Sequence, residues 1–267
     1  MLKLGVIGAG NMATAIVNGI TDKKVIDASQ IMIYDIDKEK LRSFSDNGVK
    51  IACSEAEIIE NCSYVLLAVK PQIYSAVLET IKPACKGNNI FISIAAGISG
   101  GFIKNALGYD AKVVLVMPNT PILVGHGSSA LASVEPTPRN EFEDVLKIFS
   151  SCGEAVEVLP SLMKEVIALN GSSPAFIYKF AQIFTDRGVE LGFEKEVANK
   201  LFANALIGSA LMMLNTGKTH QELIDAVSSK GGTTVAGLQA MEEHKLKEAL
   251  LAGYDACTNR AYELESK

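Results

Sequence analysis

Three short segments of this chain combine glycine, hydroxyl or charged residues in patterns that suit ligand binding. Residues 8–13 read Gly-Ala-Gly-Asn-Met-Ala, a GxGxxA pattern directly after an apolar run. Residues 228–234 place two glycines before two threonines, and a helical pattern follows. Lys70 and Pro71 follow another apolar run. Because a glycine-rich turn that opens a helix presents backbone N–H groups to anions, both glycine segments are predicted anion sites.

The first glycine segment predicts a dinucleotide site. Gly8 permits a tight turn, Gly10 lets a diphosphate approach the backbone, and Ala13 lets the helix pack on the strand. A second apolar run ends at Asp35, where a carboxylate accepts hydrogen bonds from the adenosine ribose. Flavin is a competitor, because its adenine end uses the same pattern. A compact domain at the N-terminal end of the chain favours a nicotinamide cofactor.

Segments that end later apolar runs join the same predicted site, because ligands of a doubly wound sheet lie outside the carboxyl ends of its strands. For Lys70, a solvated lysine at the end of a strand is the alternative interpretation. The predicted cofactor residues are Ile7, Gly8, Ala9, Gly10, Asn11, Met12, Asp35, Ala68, Val69, Lys70, Pro71, Ala95, Ala96 and Gly97, with Asn119 added by the resemblance described below.

The elements that position these residues follow from hydrophobic periodicity. Strands buried on both faces are predicted at 4–7, 31–34, 64–69, 90–94 and 113–117, and helices at 12–20, 38–44, 73–81 and 98–107. This alternation predicts an α/β fold, with an N-terminal Rossmann domain and a doubly wound parallel sheet, over residues 1–158. Helical patterns at 161–169, 174–191, 195–214, 221–227, 235–243 and 244–263 predict an all-α domain over residues 159–267.

The composition excludes several classes of partner. The net charge is -5 and no basic run occurs, so neither nucleic acid nor an anionic membrane is expected. No window is expected to reach the roughly 20 apolar residues of a membrane helix. The five cysteines lack disulfide or metal spacing, which predicts mostly buried, reduced thiols, a cytoplasmic location and no metal site.

The helical half is rich in small and apolar residues, as in the run at 203–214. Helices that are apolar on more than one face need more neighbours than a small domain supplies. A homodimer that shares helices is therefore expected, and a tightly packed monomer core is the alternative.

Six segments resemble the pyrroline-5-carboxylate reductase family. They are VIGAGNMATAIVNGI at 6–20, LLAVKPQ at 66–72, AAGIS at 95–99, VMPNTP at 116–121, NGSSPAF at 170–176 and VSSKGGTTVAGLQAMEE at 227–243. The last two segments are specific, whereas the first recurs in many dehydrogenases. The resemblance implies a Rossmann domain, a helical dimerisation domain and, in many members, a ring of five dimers.

The resemblance also implies a reaction, which is reduction of the cyclic imine of 1-pyrroline-5-carboxylate by NAD(P)H to give L-proline. The second glycine segment would hold the substrate carboxylate, and Thr234 would be the catalytic residue that hydrogen-bonds the ring nitrogen. A simple N-cap of the following helix is the alternative role for Thr234. The implied substrate-binding residues are Ser229, Gly231, Gly232, Thr233 and Thr234.

The chain departs from the family pattern at several positions. Lys230 stands where the family has proline, and Pro160 stands where some members have a ligand-touching glutamate. Asp35 replaces the small hydroxyl residue that many members place beside the 2′-phosphate of NADPH, and Glu55 matches a position that is often asparagine. Since carboxylates repel a phosphate, NADH is expected to be used at least as well as NADPH.

Two other functions share this architecture. A β-hydroxyacid-type dehydrogenase would need a lysine acid, for which Lys164 and Lys179 are the candidates, although neither has the expected glycine-rich surroundings. A dinucleotide-sensing module without catalysis is the second alternative, and the intact second glycine segment argues against it. None of the three histidines suggests acid–base chemistry.

Overall fold

A computed structural model describes residues 2–265 and contains one eight-stranded sheet. The strands are β1 (Leu2–Ile7), β2 (Ile31–Tyr34), β3 (Lys50–Ile51), β4 (Cys62–Leu67), β5 (Ile90–Ser93), β6 (Lys112–Pro118), β7 (Gly127–Val134) and β8 (Gly153–Glu157). Their spatial order is 3-2-1-4-5-6-7-8, and β1–β6 are parallel. β7 runs antiparallel to β6 and parallel to β8. The strand order reverses between β1 and β4, which is the switch point where dinucleotides bind.

Helices cover both faces of this sheet. They are α1 (Asn11–Asp22), α2 (Arg42–Asp46), α3 (Glu55–Asn61), α4 (Tyr74–Ile81), α5 (Gly100–Leu107) and α6 (Arg139–Ser150). On one face, Ile16 of α1 and Phe142 of α6 pack in a core with Leu4 of β1. On the other face, Ile58 of α3 and Leu78 of α4 pack on Val65 of β4. The α/β fold with a doubly wound sheet is confirmed.

Three strands and two helices were missed by the sequence analysis. β3 has only two residues, and β7 and β8 are rich in Gly, Ser, Ala and Glu, so none of them is a long apolar run. α3 and α6 carry many charged residues and only a narrow apolar stripe. Long apolar runs indicate strands that are buried on both faces, so short strands and strands of small or charged residues give no such signal.

The C-terminal half is helical, as expected. Its helices are α7 (Ser173–Glu190), α8 (Lys195–Asn215), α9 (His220–Ala226), α10 (Thr233–Glu243) and α11 (Leu246–Glu265). The helix predicted over 161–169 is wrong. A 3₁₀ turn spans Pro160–Leu162, and a single π-helical turn spans Ile167–Gly171.

The chain divides into two compact units. One unit comprises Met1–Pro174 with Cys257–Lys267, and the other comprises Ala175–Ala256. The domain boundary between residues 158 and 159 remains a prediction from the sequence.

Apolar side chains of α8 are widely exposed within the chain. Ile207, Leu211 and Leu214 are 59%, 51% and 80% exposed. By length and composition α8 could cross a membrane, with a mean hydropathy of 1.4 over an 18-residue window. The expectation that no segment is so long and apolar is therefore wrong.

The cysteines are all unpaired, but fewer are buried than expected. Cys62 and Cys152 are buried, Cys85 and Cys257 are half-buried, and Cys53 is exposed. Burial raises the pKa of the Cys62 thiol to about 12, so this side chain is a neutral packing group at physiological pH.

Candidate active site

The turn after β1 has the geometry predicted from its glycines. Gly8 adopts φ +103°, and a Cβ there would lie 2.6 Å from the carbonyl oxygen of Ala68. At Gly10 a Cβ would meet nothing within 4 Å, so the space beside this residue is open. Ala13 is fully buried against the sheet. Gly8 is therefore required by the fold, whereas the fold would accept a larger residue at Gly10.

A cleft of about 240 Å³ lies at the carboxyl ends of β1, β2 and β4. It is lined by Ile7, Gly8, Gly10, Tyr34, Asp35, Ile36, Lys40, Glu55, Ala68, Val69, Lys70, Ile73 and Val77. Seven of the predicted cofactor residues are among these, at the switch point of the sheet. Ala9, Asn11, Met12 and Pro71 belong to the same two turns but do not line the cleft.

The Asp35 carboxylate is held at one side of this cleft. One of its oxygens accepts a hydrogen bond from the Ala9 N–H at 2.7 Å, and the other accepts one from the Asp37 N–H at 2.8 Å. Burial, Glu55 and Asp35 together raise the pKa of the Tyr34 hydroxyl. This part of the cleft is therefore acidic, with the carboxylates of Asp35 and Glu55 near the neutral phenol of Tyr34.

The loop after β2 carries cations that are mostly paired. A cavity of about 440 Å³ adjoins Asp35 there, and Lys38 and Arg42 line it. Arg42 pairs with Glu39 at 3.0 Å, and Lys40 pairs with Asp37 at 3.5 Å. Lys38 makes no ion pair with the part of the chain that the structure describes.

A second, smaller cleft of about 130 Å³ lies at the carboxyl ends of β5 and β6. Ala95, Gly97 and Lys164 line it. The Lys164 ammonium lies 4.3 Å from the ring centre of Tyr262, and the Tyr262 hydroxyl donates to Glu165 at 2.5 Å. This hydrogen bond lowers the pKa of the Glu165 carboxyl, and the positive charge of Lys164 adds to the effect.

The predicted cofactor residue Asn119 has a structural role that the sequence analysis did not foresee. Its side chain is buried, donates to Asn170 at 3.1 Å and accepts from the Ser128 N–H at 2.8 Å. Asn170 in turn donates to the carbonyl oxygens of Met117 and Ser128. This pair holds the carboxyl end of β6, and the sequence carries no local signal of it.

In the other compact unit, the second glycine segment forms a tight turn and a bare helix start. Gly232 is the N-cap of α10, and no side chain caps the helix. The N-cap alternative for Thr234 is therefore wrong, since Thr234 lies inside the first turn. Its hydroxyl makes no hydrogen bond with the described residues. The Ser228 hydroxyl oxygen, which the sequence analysis did not select, is buried and equally lacks a described partner.

The starts of α1 and α10 have the same design. Their N-caps are Gly10 (φ -80°, ψ 178°) and Gly232 (φ -79°, ψ 168°), and each cap follows a turn in which a glycine has positive φ. Neither helix has an acidic residue in its first turn, whereas α9 starts with a capping box that uses Glu222. Both starts can bind an anion through uncapped N–H groups and the positive end of the helix dipole.

The described residues offer little for metal-ion chemistry or for acid–base catalysis by histidine or lysine. Within residues 2–265, no group of His, Cys, Asp and Glu could hold a metal ion. His126, His220 and His244 are all exposed. Lys179 is exposed and donates to Gln182, so Lys164 is the only candidate lysine acid that lines a described cleft.

These features define a nicotinamide-dependent oxidoreductase with a Rossmann fold and a helical C-terminal half. A family model for NADP oxidoreductase, coenzyme F420-dependent, matches residues 3–97, and one for pyrroline-5-carboxylate reductase dimerisation matches residues 160–264. The chain belongs to the pyrroline-5-carboxylate reductase family.

Full-length relatives support this membership. Pyrroline-5-carboxylate reductase of Escherichia coli K12 is 33% identical over 98% of both chains. Among solved structures, pyrroline carboxylate reductase of Plasmodium falciparum, with NADP bound, is 30% identical, has a TM-score of 0.90 and covers 99% of this chain and 98% of its own. The Coxiella burnetii pyrroline-5-carboxylate reductase structure is 30% identical, has a TM-score of 0.92 and covers 98% of both chains.

Proposed function

We propose that this protein reduces 1-pyrroline-5-carboxylate to L-proline with hydride from NAD(P)H. The observation that carries the proposal is the pair of glycine-capped helix starts, at Gly10 and Gly232, in a chain whose full-length relatives have this activity. The reaction brings together two anions, the cofactor diphosphate and the substrate carboxylate. One bare helix start suits each of them.

The chemistry requires binding and orientation more than acid–base catalysis. The cofactor supplies a hydride to the imine carbon, and the electron pair of the C=N bond moves to the ring nitrogen. A protonated imine accepts that pair without a further proton transfer. The protein then needs a polar group at the ring nitrogen and a fixed orientation of the ring. The Thr234 hydroxyl, which makes no hydrogen bond with the described residues, would contact the ring nitrogen, and Thr233 would be a second contact. The Ser229–Gly232 turn would hold the carboxylate.

We further propose that NADH serves at least as well as NADPH. The 2′-phosphate of NADPH would meet the acidic part of the cleft, where backbone hydrogen bonds hold Asp35 in place and Glu55 also lines the cleft. Arg42, the strongest phosphate-binding side chain nearby, is already paired with Glu39. Lys38 is the one cation of this loop with no described ion pair.

A homodimer is the proposed assembly, and the cytoplasm is the proposed location. A second copy of the chain would cover the exposed apolar side chains of α8, in keeping with the dimerisation model that matches this half. A membrane is not needed to cover them. The ring of five dimers stays a prediction from the family resemblance, and the unpaired cysteines support a reducing compartment.

The experiment that tests the reaction is an assay of cofactor oxidation by the purified protein. Pyrroline-5-carboxylate is compared with a panel of β-keto acids, which a β-hydroxyacid-type dehydrogenase would reduce. We expect turnover with the cyclic imine alone. Turnover with a β-keto acid would favour the alternative dehydrogenase, and cofactor binding without any turnover would favour a sensing module.

A further inference from the structure

Lys230 is the second residue of a tight four-residue turn in the second glycine segment. The Gly232 N–H donates to the Ser229 carbonyl oxygen at 2.9 Å, which closes a four-residue turn. Gly231, at the third position, has φ +73°, and the φ of Lys230 is not positive. This combination defines a type II turn with Lys230 at its second position.

A lysine is not what the turn itself favours. Proline is preferred at the second position of a type II turn, because its ring presets φ near the required value and restricts the unfolded chain. The proline found here in the family matches that preference. Lys230 forgoes the stabilisation, and its backbone gains nothing from the change. The presence of lysine at this position must therefore be explained by its side chain.

The electrostatic surroundings supply that reason. Lys230 is exposed and makes no ion pair with the residues that the structure describes. It stands two residues before the N-cap of α10, whose first turn contains no acidic residue. The ammonium and the positive end of the helix dipole thus have the same sign. An anionic ligand would offset both.

We propose that Lys230 is a specificity-determining residue that attracts the substrate carboxylate to the start of α10. This inference rests on the proposed function. An exposed charge on a flexible stem acts mainly on encounter and binding, so it should affect KM and leave kcat nearly unchanged. A carboxylate-bearing imine gains from this attraction, and an uncharged imine does not.

The turn geometry provides a sharp test. Lys230→Pro removes the charge and keeps the turn, Lys230→Arg keeps the charge, and Lys86→Gln is the control. Lys86 is an exposed lysine that lines a small cavity with Asn89, which immediately precedes β5, outside the second glycine segment. We expect Lys230→Pro to raise KM for pyrroline-5-carboxylate about three- to tenfold at low salt. Turnover should stay within about twofold, and Lys230→Arg should behave as the parent does.

Varying the salt concentration and the charge of the substrate distinguishes electrostatic attraction by Lys230 from a structural effect of its replacement. Between about 0.01 M and 1 M salt the screening length falls from about 30 Å to about 3 Å, so the parent and Lys230→Pro should converge. With 1-pyrroline, which lacks the carboxylate, the two should have equal kcat/KM at every salt concentration.

Equal KM values for the parent and Lys230→Pro at low salt would overturn the role of Lys230. An equal loss with 1-pyrroline, or an equal loss in Lys86→Gln, would overturn it as well. A parent enzyme that is inactive with pyrroline-5-carboxylate but active with another substrate would overturn the proposed function together with this inference.

Discussion

The hydroxyl groups of Thr233 and Thr234 lie in the first turn of α10, and neither of them caps the helix. A threonine that neither caps nor packs is an unusual choice for a helix start, because β-branched residues have only modest helix propensity. The uncapped position leaves the Thr234 hydroxyl available to a ligand. Its proposed partner is the ring nitrogen, where electron density changes as hydride arrives.

Replacing Thr234 by valine tests this role, because valine keeps the shape and removes the hydroxyl. We expect kcat with pyrroline-5-carboxylate to fall by about 10²-fold, the usual effect of losing one polar group that acts in the transition state. Affinity for the dinucleotide should change little, since its site belongs to the other glycine turn. Thr80→Val, on the exposed face of α4, is the control. A Thr234→Val enzyme within about twofold of the parent would show that the hydroxyl has no part in the reaction.

Asp35 determines the cofactor prediction. Two like charges about 4 Å apart repel by about 4 kcal/mol at an effective dielectric near 20, which is an upper bound at a solvated site. Even a third of that energy corresponds to a roughly tenfold preference. Asp35→Ser should therefore raise kcat/KM for NADPH relative to NADH by about tenfold. Asp46→Ser removes a similar charge from the end of α2 and should leave the ratio unchanged.

The cofactor preference of the parent enzyme is measured in the same way, by comparing its kcat/KM for NADH and for NADPH. A parent that prefers NADPH by about tenfold or more would mean that Lys38 or Arg42 binds the 2′-phosphate despite Asp35.

At the scale of single residues, the sequence predicted backbone turns better than it predicted hydrogen bonds between side chains. The tight turn at Gly8 was predicted correctly because only backbone geometry was needed, whereas the role of Gly10 beside a diphosphate stays a prediction. The buried Asn119–Asn170 pair could not be foreseen, since it joins residues 51 positions apart. Nor could the sequence show that Gly232, and not a threonine, is the N-cap of α10, because Ser, Thr and Gly are all acceptable caps.

At the scale of elements, two glycines in the turn between β1 and α1 allow effects on folding to be distinguished from effects on cofactor binding. Gly8→Ala should impair folding, because φ +103° and the nearby Ala68 oxygen leave no room for a Cβ. Gly10→Ala should fold normally, since its N-cap φ of -80° suits any residue and the adjacent space is open. The added methyl group would nevertheless block the approach of the diphosphate.

We therefore expect Gly10→Ala to keep the parent thermal midpoint while its Kd for NADH rises by about tenfold or more. Gly101→Ala, inside α5, is the matched control and should leave cofactor binding unchanged. Cofactor binding by Gly10→Ala with the parent affinity would place the diphosphate elsewhere.

The elements recovered from the sequence share one property, which is strong periodicity. Five strands buried on both faces and most helices were found because their apolar residues are concentrated. β7 and β8 were missed because small and acidic residues dominate them. The segment at 161–169 has helical periodicity, yet its backbone forms a 3₁₀ turn and a π turn. Hydrophobic periodicity does not report such deviations from α-helical geometry.

At the scale of the whole molecule, exposed apolar side chains on α8 call for a partner. A protein with Leu201, Ile207 and Leu211 more than half exposed should associate, because large apolar patches are costly in water. We expect light scattering to give the mass of a dimer or of a multiple of it. Ile207→Glu should shift the distribution towards monomer, whereas Lys147→Glu on α6 should not. A monomeric parent with full activity at nanomolar concentration would contradict this assembly.

Deuterium labelling of the cofactor shows directly where the hydride goes. The enzyme is supplied with NADH that carries deuterium at the transferred position and with pyrroline-5-carboxylate, and the product is analysed by mass spectrometry. We expect L-proline with one deuterium on the former imine carbon for each cofactor molecule oxidised. Unlabelled proline, or cofactor oxidation without proline, would contradict direct transfer from the nicotinamide to the imine.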